Sequence, residues 1–127
     1  MENKLAILLI GGLDPQGCAG ITADIQTVTM HQCHAVPLIT CLTEQTSQGL
    51  TELGALSEVQ FMAQYESAVA DCDVAAIKIG LIPNVSIARC ISHIIKQHAV
   101  PVILDPVLGS TSGGVQPDSA VQTMMLE

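Results

Sequence analysis

Ile10-Gly11-Gly12-Leu13-Asp14-Pro15-Gln16-Gly17-Cys18-Ala19-Gly20-Ile21-Thr22-Ala23-Asp24 interrupts an apolar run that starts at Leu5. The run stops at two adjacent glycines. A turn rich in Gly and Pro follows, and apolar residues then recur at Ile21, Ile25 and Val28 with the period of a helix. The stretch therefore predicts strand, glycine loop and helix. Such a loop offers free backbone N–H groups and the positive end of a helix dipole, which suit an anion or a polar heterocycle.

Two familiar mechanisms fail when tested letter by letter. Gly12 and Gly17 have P-loop spacing, but Cys18 and Ala19 stand where the lysine and hydroxyl should be. The dinucleotide pattern GxGxxG also fails, because Gly11 and Gly12 are adjacent and no third glycine falls in register. Asp24 lies three residues after Ile21 and four before Val28, beside the apolar stripe. It reads either as an acid complementing the helix dipole or as an acceptor for donors on a bound ligand.

The 127 residues predict a single domain long enough to bury a core. The chain is 49% hydrophobic and only 13% charged, against about 25% charged in typical domains. Strands buried on both faces, and a surface covered by something outside the sequence, are both expected. A net charge of -8 with 4 Lys and Arg excludes a nucleic-acid footprint. No apolar run approaches the roughly 18 residues of a membrane span, and Leu5–Ile10 is too short for a signal-peptide core, so a cytoplasmic protein is expected. The 5 cysteines are scattered without a CxxC pair and read as reduced and mostly buried. His31, Cys33 and His34 cluster, but their spacing fits no common zinc pattern. Cys18, in the glycine loop, reads as a loop packer with some capacity for an acidic thiol.

Further along, Ala35–Leu42 reads as a second strand that turns abruptly polar at Thr43-Glu44-Gln45-Thr46-Ser47. Gln45 then falls beyond a strand's carboxyl end, the ligand zone of open parallel sheets; on sequence alone it equally suits a loop residue facing water. Gly49–Leu56 is short and extended in character, an edge or a flap. Ser57 to Gln60 has capping-box spacing and opens a helix to about Ala70. Val74–Ile79 is a strand whose Lys78 must snorkel or pair with an acid. Asn84 or Ser86 caps a helix with Ile87, Ile91, Ile94 and Ile95 as its stripe, His98 lying at its end. Val100–Leu104 is the next strand, closed by Asp105-Pro106, where turn formation and chemistry are equal readings. Gly109 to Gly114 is a hydroxyl-rich loop, able to line a phosphate or to serve as a mere linker, and Pro117-Asp118-Ser119 starts a last helix. Strands alternating with helices imply a parallel α/β sheet.

Four blocks, GGLDPQGCAGITADIQT, LITCLTEQTSQG, KIGL and VILDPVLGSTSGG, occur in an order that resembles the hydroxymethylpyrimidine/phosphomethylpyrimidine kinases of thiamine biosynthesis, in the ribokinase-like superfamily. The chain departs from the usual pattern at Leu13, Cys18 and Thr111. The resemblance implies a three-layer α/β fold with a mostly parallel sheet, present here as its N-terminal half, with 1–127 forming one incomplete, substrate-binding domain. It implies phosphoryl transfer from ATP, with magnesium, to the pyrimidine and then to its monophosphate. By the same resemblance Gly12, Asp24 and Gln45 grip the ring, while Leu81 and Val107 pack on it. Asp105, Thr111 and Ser112 lie near the phosphate and magnesium. The family's aspartate base and most of its nucleotide site belong to a later portion, so weak or no turnover is expected. A homo-oligomer is expected from the apolar composition. The rivals are another ribokinase-like kinase, such as one for pyridoxal, and a non-catalytic binding remnant.

Overall fold

The computed structural model describes residues 3–46, 48–106 and 119–125. In chain order the elements are β1 (Ala6–Leu13), α1 (Gly20–Met30), β2 (His34–Thr46), β3 (Gly49–Ala55), α2 (Glu58–Val69), β4 (Val74–Ile79), α3 (Val85–Gln97), β5 (Val102–Leu104) and α4 (Ser119–Met125). They build one sheet of order β3-β2-β1-β4-β5. β2, β1, β4 and β5 are parallel, and β3 runs antiparallel to β2. The sheet is mostly parallel, as expected, and β3 is the exception at its edge for a simple reason. Thr46 and Gly49 are too close in sequence for the crossover of a dozen or so residues that a parallel neighbour needs, so the chain turns back as a hairpin.

Alternation along the strands sorts the two faces. Leu8 and Ile10 of β1, Val36 and Leu38 of β2, and Ile77 and Ile79 of β4 join Phe61 and Tyr65 of α2, the stripe of α3 and Val121 of α4 in one buried core. Helix α1 lies on the opposite face, which gives the three layers. Local sequence explains the two long helices on the core side. Ser57 and Gln60 form the reciprocal capping box of α2, and the Asn84 side chain accepts from the Ile87 amide at 2.9 Å to start α3.

Helix α1 is held more loosely. Ile21 is its one buried residue, while Ile25 and Val28 of the expected stripe are half-covered. The helix packs on β1 and β2. Ile103, which alternates with the core-facing Val102 and Leu104, is therefore 64% exposed on the same face. On the core side an apolar cavity of about 420 Å³ opens between α3, α4 and β5, lined by Ile91, Ile95, Leu104 and Met124 among others. Strand β5 starts at Val102, two residues later than the apolar pattern suggests. Among the described residues no helix is long and apolar enough to cross a membrane.

Candidate functional site

The chain leaves β1 to form β2 on one side and later crosses to form β4 on the other. The carboxyl ends of β1 and β4 therefore flank the point where strand order reverses, the usual ligand crevice of an open α/β sheet. Gly11 and Gly12, near the end of β1, are buried; Gly80 and Leu81 follow β4. The Gly80 amide donates to the Ile10 carbonyl at 2.7 Å, and the Asp105 amide donates to the Ile79 carbonyl at 2.8 Å. These bonds hold the strand ends together at one edge.

Gly12 is small because three side chains converge on it. A Cβ there would lie 3.0 Å from Cys41 Sγ, 3.1 Å from Leu81 Cδ2 and 3.7 Å from Thr43 Cγ2. Two hydroxyls of β2 fix the same floor. Thr40 Oγ1 donates to the Leu81 carbonyl at 2.8 Å, and Thr43 Oγ1 donates to the Leu13 carbonyl at 2.7 Å. The structure thus brings Gly12 and Leu81 together. Thr40, an ordinary strand residue in sequence, and Thr43, which sequence places just past the strand, lock the backbone of the loops that follow β4 and β1.

The glycine loop is organised by Asp14, another residue the sequence reading did not single out. Its buried carboxylate accepts from the amides of Gln16 (2.9 Å, Oδ1), Cys18 (3.0 Å, Oδ2) and Ala19 (3.1 Å, Oδ2). The expectation of free N–H groups at this loop is corrected here: the chain's own carboxylate takes the Cys18 and Ala19 donors leading into α1. Cys18 itself is exposed, its thiol directed at the Gln16 carbonyl.

Asp24, one turn into α1, places Oδ2 2.7 Å from Lys78 Nζ. That supplies the acid Lys78 was expected to need and commits one oxygen of a residue read as a ligand acceptor. Gln45 lies on the hairpin overhang: β2 pairs with β1 only as far as Leu42, then continues with β3, Gln45 standing opposite Leu50. Asp105 is exposed at the end of β5. Val107, Thr111 and Ser112 lie outside the described residues. Among those described, no three His, Cys, Asp or Glu side chains gather as metal ligands, and the Cys33 thiol faces the His31 carbonyl. All five cysteines are free, but only Cys41 is buried, fewer than expected. His98 caps the end of α3, with Nε2 2.8 Å from the Tyr65 hydroxyl.

The model of the phosphomethylpyrimidine kinase family matches residues 14–126. The chain belongs to the phosphomethylpyrimidine kinase family. It is 36% identical over 113 residues to a hydroxymethylpyrimidine/phosphomethylpyrimidine kinase of Synechococcus elongatus, covering 89% of this chain and 43% of that protein. The crystal structure of phosphomethylpyrimidine kinase from Clostridium difficile 630 superposes with a TM-score of 0.86 at 27% identity, covering 97% of this chain and 54% of that one. Pyridoxal kinase from Staphylococcus aureus, in complex with pyridoxal, shares the fold with a TM-score of 0.85 at 19% identity, covering 98% of this chain and 46% of that one. The same kinase is also known with ADP and with AMP-PCP and pyridoxal. This family member thus spans about half the length of the relatives it matches, aligned with their N-terminal portion. The ribokinase-like three-layer α/β architecture is that of its neighbours.

Burial pushes the Cys41 thiol up from its ordinary 9.0, with a smaller opposing effect of the Thr40 hydroxyl. The folded chain therefore holds this proton more tightly than the unfolded one, and the resulting stability is intact below pH 9.0 and lost as pH climbs toward the raised value. Because Cys41 Sγ sits under Gly12, its ionisation would place a charge beneath the crevice floor. We expect the thiolate absorbance missing from Cys41→Ala to appear in the native chain only above pH 9.0. Stability above that pH should fall more steeply in the native chain than in the variant. A Cys41 thiolate that forms below it would contradict the assigned burial.

Proposed function

We propose that this chain forms the pyrimidine-binding part of an ATP-dependent kinase that phosphorylates hydroxymethylpyrimidine and its monophosphate in thiamine biosynthesis. The observation that carries the reading is the floor at the β1–β4 reversal, where Gly12, Leu81 and the β2 side chains Cys41 and Thr43 converge. The absence of a Cβ at Gly12 lets the Cys41 and Leu81 side chains close up against the backbone and so sets the level of the floor on which a flat heterocycle would rest. Leu81 would pack on the ring, with Val107 as a second apolar contact. Gln45, on the overhang beside the floor, can donate to one ring substituent and accept from another. Asp24 serves the same floor, with one oxygen directed to Lys78.

The nucleotide is ATP in this reading, supported by the kinase relatives. Magnesium is commonly held by one or two carboxylates together with substrate phosphates. Asp105, exposed at the same sheet edge, fits as one such carboxylate acting through water, with Thr111 and Ser112 as hydroxyl donors to the phosphate. The ion would supply charge neutralisation at the transferred group. The base for the substrate hydroxyl and most of the nucleotide site belong, in this reading, to the part of the relatives that these 127 residues do not span. The 127-residue chain is thus expected to bind without appreciable turnover.

Calorimetry with hydroxymethylpyrimidine, its monophosphate and pyridoxal tests the assignment. Both pyrimidines should bind, pyridoxal more weakly, and Gln45→Ala should weaken the pyrimidines about tenfold by stranding ring donors and acceptors. Tighter binding of pyridoxal, or no effect of Gln45→Ala, would overturn the pyrimidine reading. Phosphoryl transfer from MgATP measured in the same samples should stay at the level of a chain-free control.

A further inference from the structure

We propose that the Lys78–Asp24 ion pair is a positioning brace that fixes the first turn of α1 over the end of β4, and so sets the shape of the crevice floor. Lys78 stands between the core-facing Ile77 and Ile79, so its side chain leaves the sheet on the α1 face. A chain with only 4 Lys and Arg places one of them inside a strand, within 2.7 Å of an acid on a neighbouring helix. Such a charge-assisted contact is short and directional. With the side chains 25% and 21% exposed, solvent screens it, and its worth to global stability is small. Its geometric consequence is larger.

Helix α1 has few other anchors. Ala19, its N-cap, makes no side-chain capping bond, and Ile21 is the one buried residue. The first helical residue, Gly20, bridges back to Leu13 at the end of β1. Four residues on, Asp24 reaches the Lys78 ammonium, which arches over Gly80: a Cβ at Gly80 would lie 3.2 Å from Nζ. Gly80 is the residue whose amide is bonded to Ile10, and its Cβ direction points to within 4.0 Å of Gly11 Cα. The ammonium therefore sits where β1, β4 and α1 meet. Breaking the pair frees the ammonium for solvent and leaves the first turn of α1 held by Ile21, the Gly20–Leu13 bridge and the Asp14 bonds, with no tie to β4. Lys78 is thus a positioning residue, and Asp24 acts on the floor through the oxygen committed to it.

The affinity arm of the test rests on the pyrimidine reading above; the exchange arm does not. Asp24→Asn, Lys78→Gln and the swapped pair Asp24→Lys/Lys78→Asp would be compared with the native chain by amide hydrogen exchange and by binding of hydroxymethylpyrimidine. Each single variant should speed exchange of the Cys18, Ala19 and Ile21 amides and weaken the pyrimidine, each by about tenfold, with the core amides of β1 unchanged. The swapped pair should recover part of both losses. The brace is overturned if the loop amides do not respond, if the core amides exchange faster by the same factor, or if the swap recovers nothing. Failure of the native chain to bind the pyrimidine would overturn the functional reading, while exchange of the loop amides would still decide the brace.

Discussion

Gly20→Ala is expected to cost about 3 kcal/mol or more of stability, through two separable effects at one residue. Gly20 opens α1 with φ of +59°, a left-handed conformation. An L-residue there carries roughly 1 to 2 kcal/mol. The second effect is steric: a Cβ on Gly20 would overlap the Gly12 carbonyl oxygen, a backbone atom that cannot rotate away. Relieving the overlap must push the first turn of α1 off the end of β1, and overpacking of this kind costs about 1 to 3 kcal/mol. Gly17 provides the internal control. Its φ is +71°, but a Cβ there would meet only Thr22 Cγ2, at 3.4 Å, so Gly17→Ala should show the conformational cost alone. Urea unfolding of both variants checks the difference. Equal midpoints would mean that the Gly20–Gly12 contact does not constrain the loop. Because Gly12 lies on the floor, Gly20→Ala should also abolish pyrimidine binding at ligand concentrations that saturate the native chain.

The parts legible in the sequence were those fixed by local chemistry. Ser57 and Gln60 announce α2 because a capping box is a contact between residues three apart, and the isoleucine stripe of α3 reads directly as the face that joins the core. The strand, loop and helix around Gly12 are likewise local. Leu81 reaches the floor because it follows a strand that the apolar pattern already marks. Less visible was anything settled by a distant partner. Lys78 advertises a need for an acid, but the partner, Asp24, lies 54 residues away. Thr40 looks like any strand threonine until the Leu81 carbonyl, 41 residues on, is seen to accept its hydroxyl. Strand β3 reads as an extended edge or flap, with its direction hidden, since direction in a sheet depends on how far the chain must travel to its neighbour. The cysteines mislead for a related reason: their tendency to be buried is an average, and Cys33, Cys72 and Cys90 are only half-buried while Cys18 is exposed.

Asp14 is where local reading failed most, and its removal should have the second large effect. In sequence, an Asp between Leu13 and Pro15 looks like a turn former. In the fold its side chain is 5% exposed and accepts from the amides of Gln16, Cys18 and Ala19. Hydrogen bonds to a charged acceptor are worth about 1.5 to 3 kcal/mol each, and the half-buried loop lets water recover part of the loss. We therefore expect Asp14→Ala to destabilise by about 3 kcal/mol, with the urea midpoint lowered at unchanged slope. Asp14→Asn separates charge from shape. Whichever way its amide is turned, an NH₂ group faces at least one of the three backbone donors, so it should lose nearly as much as alanine although it is isosteric. Asp14→Ser, able to accept but too short to reach both ends of the loop, should fall between the native chain and Asp14→Ala. The crevice responds as well, because the Cys18 and Ala19 amides released from Asp14 point out of the N-terminus of α1. An anion that the native loop does not hold should therefore gain affinity for Asp14→Ala. Titration with inorganic phosphate reads this directly: binding that increases in the alanine variant supports Asp14 as the resident anion of the loop, and identical weak binding in both chains would remove it from that role.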